Sequence, residues 1–405
     1  MWVERYITKI YIEQVRHLKD IQIELNKEKR QHLILTGKNG SGKTSVLEAL
    51  RSFLEMIQNG LYDYLLDMYK TQQAVSDTEK KEFRLFLQEM KAPSSGVFAQ
   101  FSDGNLSSCY LAGTFITAYF SASRTTEISL PRGVEEIQLK NVYGMEENPT
   151  TDLLKYMVHL KTQQIYAKNE GDADTENRIK DWFQQFEDAL RKLMADPSIQ
   201  LHYDYKNYNF LIHQKDRNPY DFSQLSDGYS AAVRILADLL MRMDQNWLQK
   251  DVTVEKTLEG IVLIDEIETH LHLELQRSIL PFLTEMFPNL QFIVTTHSPF
   301  VVNSLENAAI YDLEKDLMVK SGLTNVSYKG VVEGFFQSDA LSNELREKYE
   351  RYKELIQKNS LTDDEYDEIM SLELYLDEIP DYLSIGIATE YKKQKLEFWQ
   401  REDNK

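Results

Sequence analysis

A short glycine-rich segment has the residue types and the spacing of a phosphate-binding loop. The sequence GKNGSGKT, residues 37–44, fits the pattern G-x-x-x-x-G-K-[ST] at every fixed position. Its glycines allow backbone N–H groups to face an anion at the start of a helix. Lys43 would then contact the β- and γ-phosphates of a nucleotide, and the Thr44 hydroxyl would bind Mg²⁺. The predicted nucleotide-binding residues of this phosphate loop are Gly37, Lys38, Asn39, Gly40, Ser41, Gly42, Lys43 and Thr44.

Two carboxylates and one histidine follow other apolar segments. In IVLIDE, Asp265 and Glu266 come directly after four apolar residues, which predicts a position at the carboxyl end of a buried strand, where open α/β sheets bind ligands. Asp265 would hold Mg²⁺, and Glu266 would be the general base for an attacking water. His297 ends FIVTTH in the same way, so we expect it to contact the γ-phosphate. The predicted catalytic residues are Lys43, Glu266 and His297.

Two further segments are ambiguous by themselves. QLSDGYSAAVRIL, residues 224–236, reads as a turn followed by a helix from Ala231, but Leu-Ser-x-Gly before a helix is also a phosphate-contact pattern of one ATPase class. His270 and His272 resemble a pair of zinc ligands. Helical geometry would place positions i and i+2 on different faces, and no cysteine or third ligand accompanies them, so we predict no zinc site there.

The remaining sequence must supply elements that position these residues. Apolar segments separated by amphipathic ones indicate parallel strands joined by helices, which is an α/β fold. The predicted strands are two around a turn near the N-terminus, then 32–37, 97–102, 110–121, 260–266 and 291–298. Residues 151–194 predict a helical lobe with a break at 169–172, too short for a long coiled coil. The chain beyond about residue 340 predicts acidic helices.

Composition restricts the classes of protein that fit. The 405 residues carry a formal net charge of −19, which argues against a surface that binds a phosphate backbone throughout. Cys109 is the single cysteine, so disulfides and cysteine-based zinc sites are excluded. No apolar run approaches the ~20 residues of a membrane-spanning helix, and the first residues lack a signal-peptide pattern. We therefore expect a cytoplasmic protein without a membrane partner.

Taken in order, these motifs resemble those of ABC-class ATPases, in the branch that contains RecF, OLD and SMC proteins. The resemblance rests on GKNGSGKT, LSDGYS, LIDEIETHLHLELQ, VTTHSPFVV and the opening VRHLKDIQIEL. It implies an ABC-type P-loop head with an N-terminal antiparallel β segment, an inserted helical lobe and a C-terminal helical extension. The implied domains are residues 1–150 and 201–330 for the two parts of the head, 151–200 for the lobe and 331–405 for the extension.

The same resemblance implies ATP and Mg²⁺ as ligands and a homodimer that holds ATP between its subunits. Ser226 and Gly228 would contact the γ-phosphate bound by the partner subunit, and Ile267 to His272 would cross the interface. Arg16 would correspond to an arginine that contacts the α-phosphate. Arg124 would take the place of a glutamine that the motifs do not locate. The sequence does not explain Asp227, because a carboxylate beside the γ-phosphate would repel it.

Several functions fit such a head. The motif pattern without a long coiled coil is similar to that of ATPase subunits of bacterial anti-phage systems such as PARIS, Septu and retrons. That resemblance implies a nucleotide-gated scaffold, dimeric or larger, with a separate effector nuclease as partner and a phage protein as trigger. The alternatives are a RecF-like repair clamp on duplex DNA and an OLD-type nuclease with its own metal site. The nuclease is disfavoured because the 66 residues after Asp339 predict only helices, and Glu333 is interpreted as part of the closing segment of the ATPase domain. A transporter subunit is disfavoured most.

Overall fold

The computed structural model describes residues 4–58, 60, 96–104, 106–123, 129–248, 258–331, 343–358, 360–377 and 385–402. The predictions for Arg124 and Glu333 lie outside these residues. The chain divides into two compact units, Met1–Tyr328 and Lys329–Lys405. Among the helices that the structure describes, none is long and apolar enough to cross a membrane.

The first unit contains three sheets. Its strands are β1 (Ile7–Val15), β2 (Leu18–Glu24), β3 (His32–Thr36), β4 (Val97–Phe101), β5 (Phe115–Phe120), β6 (Gln200–Asp204), β7 (Asn209–His213), β8 (Tyr220–Asp221), β9 (Glu259–Ile264), β10 (Leu290–Thr295), β11 (Ala308–Asp312) and β12 (Leu317–Val319). Its helices are α1 (Lys43–Gln58), α2 (Leu106–Leu111), α3 (Leu153–Glu170), α4 (Ala173–Leu193), α5 (Asp227–Leu248), α6 (Leu273–Met286) and α7 (Pro299–Val302). Short 3₁₀ turns cover Pro149–Asp152 and Phe222–Gln224, and a helical turn, α8 (Tyr328–Gly330), begins at the last residue of the unit.

The central sheet positions the candidate site. It has six strands in the order β12-β11-β3-β10-β9-β5, and all neighbours are parallel except β11 and β12. The residues of β3, β9 and β10 are buried throughout, because helices cover a parallel sheet on both faces. These three strands are adjacent, so the segments that follow their carboxyl ends meet at one edge. The α/β fold predicted from the sequence is confirmed.

A second, antiparallel sheet covers the start of the phosphate-binding region. Its strand order is β2-β1-β4, with Ile12 opposite Ile21 in the hairpin predicted near the N-terminus. The buried faces of its strands share a core with α1, which contributes Leu47, Leu50 and Leu54. This packing holds the β1–β2 turn near the N-terminus of α1.

Helix α5, which begins within the Leu-Ser-x-Gly pattern, is anchored by a buried arginine. Arg242 forms an ion pair with Asp238 on the same helix, and both side chains are about 3% exposed. The Arg242 guanidinium also donates to the carbonyl of Gly144 at 2.9 Å and to that of Thr117 in β5 at 3.3 Å. A buried charge is tolerated when it is paired and its donors are satisfied. These bonds therefore fix α5 to the edge of the central sheet.

The helical lobe and a third sheet lie between β5 and α5 in sequence. α3 and α4 form a hairpin whose turn has Gly171 at a φ of 78°, a left-handed conformation that favours glycine after a helix. The rings of Trp182 and Phe186 in α4 stack at 5.5 Å. The third sheet has the order β6-β7-β8.

Two local predictions were wrong. Residues 110–121 were expected to be one strand, but α2 ends at Leu111 and β5 begins at Phe115. Gly113 has a φ of 75° and separates the two elements, as glycine often does after a helix. The helix expected from Ala231 begins four residues earlier, at Asp227.

The second unit is helical where the structure describes it. It contains α9 (Asn343–Ile356), α10 (Asp363–Asp377) and α11 (Ile385–Glu402). Its core includes Tyr352, Ile369 and Phe398. The buried Glu373 accepts hydrogen bonds from the Tyr352 hydroxyl and the Trp399 indole, both at 3.0 Å, so the carboxylate inside this apolar core is satisfied.

Candidate active site

The phosphate loop has the backbone that its glycines predict. Gly37, Gly40 and Gly42 all have positive φ, at 136°, 83° and 98°, conformations that residues with a Cβ rarely adopt. A Cβ on Gly37 would lie 2.7 Å from Ser41 Oγ, and one on Gly42 would lie 2.8 Å from Leu18 Cδ1. The loop between β3 and α1 is therefore compact, and larger residues would open it.

Lys43 is buried within this loop, with 5% of its surface exposed. Its ammonium group donates to the carbonyls of Gly37 at 2.9 Å and Lys38 at 3.1 Å. Burial lowers the pKa of Lys43, and the carboxylates of Glu266, Glu268, Asp265 and Asp312 oppose that shift. The side chain is consequently held in place by the loop, with acidic groups around it.

Thr44 and Asp265 lie together, although 221 positions separate them in sequence. The Thr44 hydroxyl donates to Asp265 Oδ1 at 3.2 Å, and the Thr295 hydroxyl donates to the same oxygen at 2.6 Å. Asp265 is buried. A hydroxyl and a carboxylate oxygen are the ligand types that Mg²⁺ prefers beside a nucleotide phosphate, so these residues fit the predicted Mg²⁺ site.

Glu266 has a strained backbone at the predicted position. Its φ is 45°, which is uncommon for a residue with a side chain and is often found at functional sites. Its N–H donates to Thr295 Oγ1 at 2.7 Å, and its Oε2 accepts from the Thr269 hydroxyl at 3.2 Å. The turn after β9 thus fixes the carboxylate that the sequence identifies as a general base.

His297 follows β10 as predicted and is half-buried. Burial lowers its pKa, and the Lys43 ammonium lowers it further, whereas the carboxylates of Glu268, Glu266 and Asp265 raise it. Its backbone N–H donates to Oε1 of Glu268, for which the sequence predicted no individual role. The structure thus places Lys43, Asp265 and Glu266 close enough to His297 for their charges to act on its imidazole.

The signature segment, residues 225–230, forms the start of α5. Ser226 and Asp227 are exposed, and the Ser226 carbonyl accepts the first helical hydrogen bond, from Ser230 N–H at 2.8 Å. Gly228 is buried; a Cβ there would lie 2.6 Å from the carbonyl oxygen of His270. Among the described residues, no hydrogen bond joins Ser226 or Gly228 to the phosphate loop of the same subunit.

Ile267 to His272, which we call the D-loop segment, packs against the signature segment. His270 has a φ of 67°, and His272 is the residue before α6. The ring of His272 contacts that of Tyr229 edge to face, with centroids 5.3 Å apart. Contrary to the prediction from the sequence, the two histidines therefore do not lie on a helix but in the turn before α6. Within the described residues, no group of three histidine, cysteine or acidic side chains could hold a metal ion.

Arg16 lies in the β1–β2 turn, exposed, with a φ of 54°. Two residues along, Leu18 lies against the Cα of Gly42 in the phosphate loop. The turn that carries Arg16 is thus next to the loop, as a role at the α-phosphate requires.

Three residues near the loop were missed: Thr295, Glu268 and Asp312. Asp312 is buried at the end of β11, and its Oδ1 accepts from the N–H groups of Glu314 and Lys315. That oxygen would lie 3.4 Å from a Cβ on Gly37. The apolar segment before Asp312 resembles the one before Asp265, and this pattern would have identified it. The roles of Thr295 and Glu268 depend on long-range contacts that leave no local pattern.

Comparison with known proteins places this geometry in a family. A family described as "AAA ATPase domain" matches residues 6–218, and one described as "AAA domain, putative AbiEii toxin, Type IV TA system" matches residues 142–303. Septu protein PtuA of Bacillus mycoides is 25% identical over 97% of this chain and 52% of that protein. The probable ATPase of retron Ec83 from Escherichia coli is 35% identical over 31% of this chain and 23% of that protein.

Solved structures are more distant. The SMC head domain from Thermotoga maritima has a TM-score of 0.36 at 12% identity, over 76% of this chain and 94% of that one. An Smc head from Pyrococcus furiosus, with an extended coiled coil, has a TM-score of 0.39 at 12% identity, over 82% of this chain and 100% of that one.

The resemblance to Septu and retron ATPases that the motifs predict is confirmed by these relatives. The chain spans about half the length of the Septu protein and about a quarter of the retron ATPase. The match described as "AAA ATPase domain" covers more than half of the chain. The chain therefore belongs to the AAA ATPase domain family.

Proposed function

We propose that the protein binds Mg²⁺–ATP between two copies of itself and hydrolyses it slowly, as the nucleotide-gated scaffold of an anti-phage defence system. The observation that carries the ATPase part is the convergence of Thr44, Asp265, Glu266 and His297 at the carboxyl ends of β3, β9 and β10. Mg²⁺, when bound, would neutralise charge on the phosphates. The residues that would hold it are Thr44 and Asp265.

In this proposal the protein groups position the phosphates and move one proton. The phosphate-loop N–H groups and Lys43 bind the β- and γ-phosphates. Glu266 accepts a proton from water while the water oxygen bonds to the γ-phosphorus. The bond from that phosphorus to the bridging oxygen then breaks, and ADP leaves with the electron pair. His297, whose pKa is lowered by burial and by the nearby Lys43 ammonium, would donate an N–H to the γ-phosphate.

The dimer part of the proposal is supported by the signature segment. Ser226 is exposed at the start of α5, where the helix N-terminus favours an anion. It makes no hydrogen bond to the phosphate loop of its own subunit in the described residues. A second copy would bring its phosphate loop to this surface, so that Ser226 and Gly228 meet the partner's γ-phosphate.

The defence role is supported by the Septu and retron relatives. We propose that the dimer, or a larger assembly of it, restrains a separate effector nuclease and releases it when a phage protein binds. In a repair clamp, ATP-dependent and salt-sensitive binding to duplex DNA would appear with the isolated protein. A gel shift with salt titration separates the two roles.

Glu266→Gln tests the dimer mechanism. The amide keeps the shape of the side chain but cannot accept the proton, so ATP should bind without being hydrolysed and the closed dimer should accumulate. Light scattering with ATP should show twice the monomer mass for this variant. Glu170→Gln, at the exposed end of α3, is the matched control and should turn over ATP like the unchanged protein. A Glu266→Gln variant that stays monomeric while binding ATP would disprove the proposed dimer that holds ATP between its subunits.

A further inference from the structure

The D-loop segment is connected by hydrogen bonds to the last residue of β10 and to the residues that follow it. The Ile267 N–H donates to the carbonyl of Thr295 at 3.1 Å. Further along, the Ser298 hydroxyl donates to the Gln276 side chain at 2.6 Å, and the Gln276 amide donates to the carbonyl of Leu271 at 2.7 Å. The two segments are therefore joined on both sides of His297.

Glu268 forms the contact between these two connections. Its Oε1 accepts from the backbone N–H of His297. Its own backbone carbonyl accepts from Leu271 N–H at 2.9 Å, and the Glu266 carbonyl accepts from Thr269 N–H at 2.9 Å. These consecutive turns fold the D-loop segment back, so that the Glu268 side chain reaches the end of β10.

The second oxygen of Glu268 has unused capacity. Oε2 is buried and accepts no hydrogen bond from any residue that the structure describes. A buried carboxylate oxygen without a donor is unfavourable, and the hydrogen bond from His297 N–H to Oε1 offsets part of the cost of burying this carboxylate. The same carboxylate acts electrostatically on the His297 imidazole and on the Lys43 ammonium.

Glu268 differs from Glu266 in what it can do. Glu266 has one carboxylate oxygen bonded to the Thr269 hydroxyl within its own turn, and its backbone is bonded to Thr295. Glu268 instead bonds the main chain of another strand end. Its carboxylate is therefore a link between segments.

We infer that Glu268 is a positioning residue for ATP hydrolysis: it fixes His297 to the D-loop segment, so that the histidine is aligned only when that segment is in place. The inference rests on the proposed function, in which the D-loop segment lies at the dimer interface and His297 contacts the γ-phosphate. It assigns to Glu268 no contact with the nucleotide.

Two conservative substitutions separate positioning from charge. Glu268→Gln retains an oxygen that can accept from the His297 N–H but loses the charge. Glu268→Asp retains the charge but withdraws it by one methylene. If positioning matters, Glu268→Gln should keep kcat within about threefold of the unchanged protein, whereas Glu268→Asp and Glu268→Ala should lose about tenfold or more. KM for ATP should change less than twofold in all three, because ground-state binding is unaffected.

A double-mutant cycle tests whether the effect passes through His297. In the His297→Ala background, Glu268→Ala should cause no further loss of kcat, since the group it positions is gone. Glu274→Ala, on the exposed first turn of α6, is the control and should leave kcat unchanged. Binding of a non-hydrolysable ATP analogue and the thermal unfolding midpoint verify that each variant is folded.

Three results would overturn the inference: equal loss with Gln and Asp, a loss confined to KM, or additive losses with His297→Ala. If Glu268→Ala fails to bind the analogue, the comparison of Glu268→Gln with Glu268→Asp decides the question by itself. Failure of the proposed function is distinct. In that case Glu266→Gln would hydrolyse ATP normally or the unchanged protein would not hydrolyse it, whereas failure of this inference leaves an active enzyme that ignores Glu268.

Discussion

Replacing Gly228 with alanine should separate the packing of the signature segment from its proposed role at the phosphate. The added Cβ would lie 2.6 Å from the carbonyl oxygen of His270, 3.5 Å from its carbon and 3.6 Å from the Cα of Leu271. All three atoms belong to the backbone, so no side chain can rotate away. α5 and the D-loop segment must separate by about 0.4 Å or more to reach the shortest distances that occur in proteins.

The cost follows from two opposing effects. Overpacking of this kind costs about 1–3 kcal/mol, and exchanging glycine for alanine in a helix recovers at most about 1 kcal/mol. Because the atoms that the Cβ meets are backbone atoms that cannot rotate away, the overpacking cost lies toward the upper end of its range, and we expect the free energy of unfolding to fall by about 2 kcal/mol. A displacement of about 1 Å at an element that positions reacting groups costs roughly a hundredfold in rate. The separation here is about 0.4 Å, so ATP turnover should fall by about tenfold.

Denaturant unfolding of the nucleotide-free protein, together with phosphate release, measures both effects. Gly133→Ala is the control, because a Cβ there would meet nothing within 4 Å. If Gly228 were needed only for contact with the partner's phosphate, the alanine variant would lose turnover while the nucleotide-free protein kept its stability. If Gly228→Ala is as stable as Gly133→Ala and equally active, the close contact with His270 is refuted.

Two further outcomes follow from buried charges. Lys43→Ala removes a charge-assisted contact of about 1.5–3 kcal/mol, so a fluorescent-nucleotide titration should show ATP affinity reduced by about tenfold or more; unchanged affinity would contradict the phosphate-loop assignment. Asp244 in α5 accepts from the Tyr156 hydroxyl, and burial raises its pKa to about 7. Burial favours the neutral form of Asp244, so its contribution to the free energy of unfolding is fully present below the unfolded pKa of about 3.8. That contribution is lost as the pH rises through about 7, where the buried carboxyl becomes charged. Between pH 5 and pH 8 the unfolding free energy should therefore fall about 3 kcal/mol less in Asp244→Asn than in the unchanged protein.

The sequence predicts this site well where one pattern defines one element. The glycine spacing of the phosphate loop and the two carboxylates after β9 are local, and their positions require only that each strand be followed by its turn. The helical hairpin of α3 and α4 is defined by its Asn-Glu-Gly-Asp break. The contribution of Glu268 is not local, because it depends on how the D-loop segment folds back over β10.

The start of α5 shows how a misplaced boundary conceals a role. With the helix expected from Ala231, Asp227 was a free carboxylate in a turn. With the helix beginning at Asp227, the same carboxylate lies in the first turn of α5 and is exposed.

A negative charge in the first turn interacts favourably with the helix dipole, by about 0.3–1 kcal/mol. Asp227 thus stabilises the helix that presents Ser226, and this role lies within its own subunit. An incoming γ-phosphate would still be repelled by it. In the proposed dimer, Asp227 would therefore weaken the closed state while it orders the open one, which is the balance that a slow, nucleotide-gated switch requires.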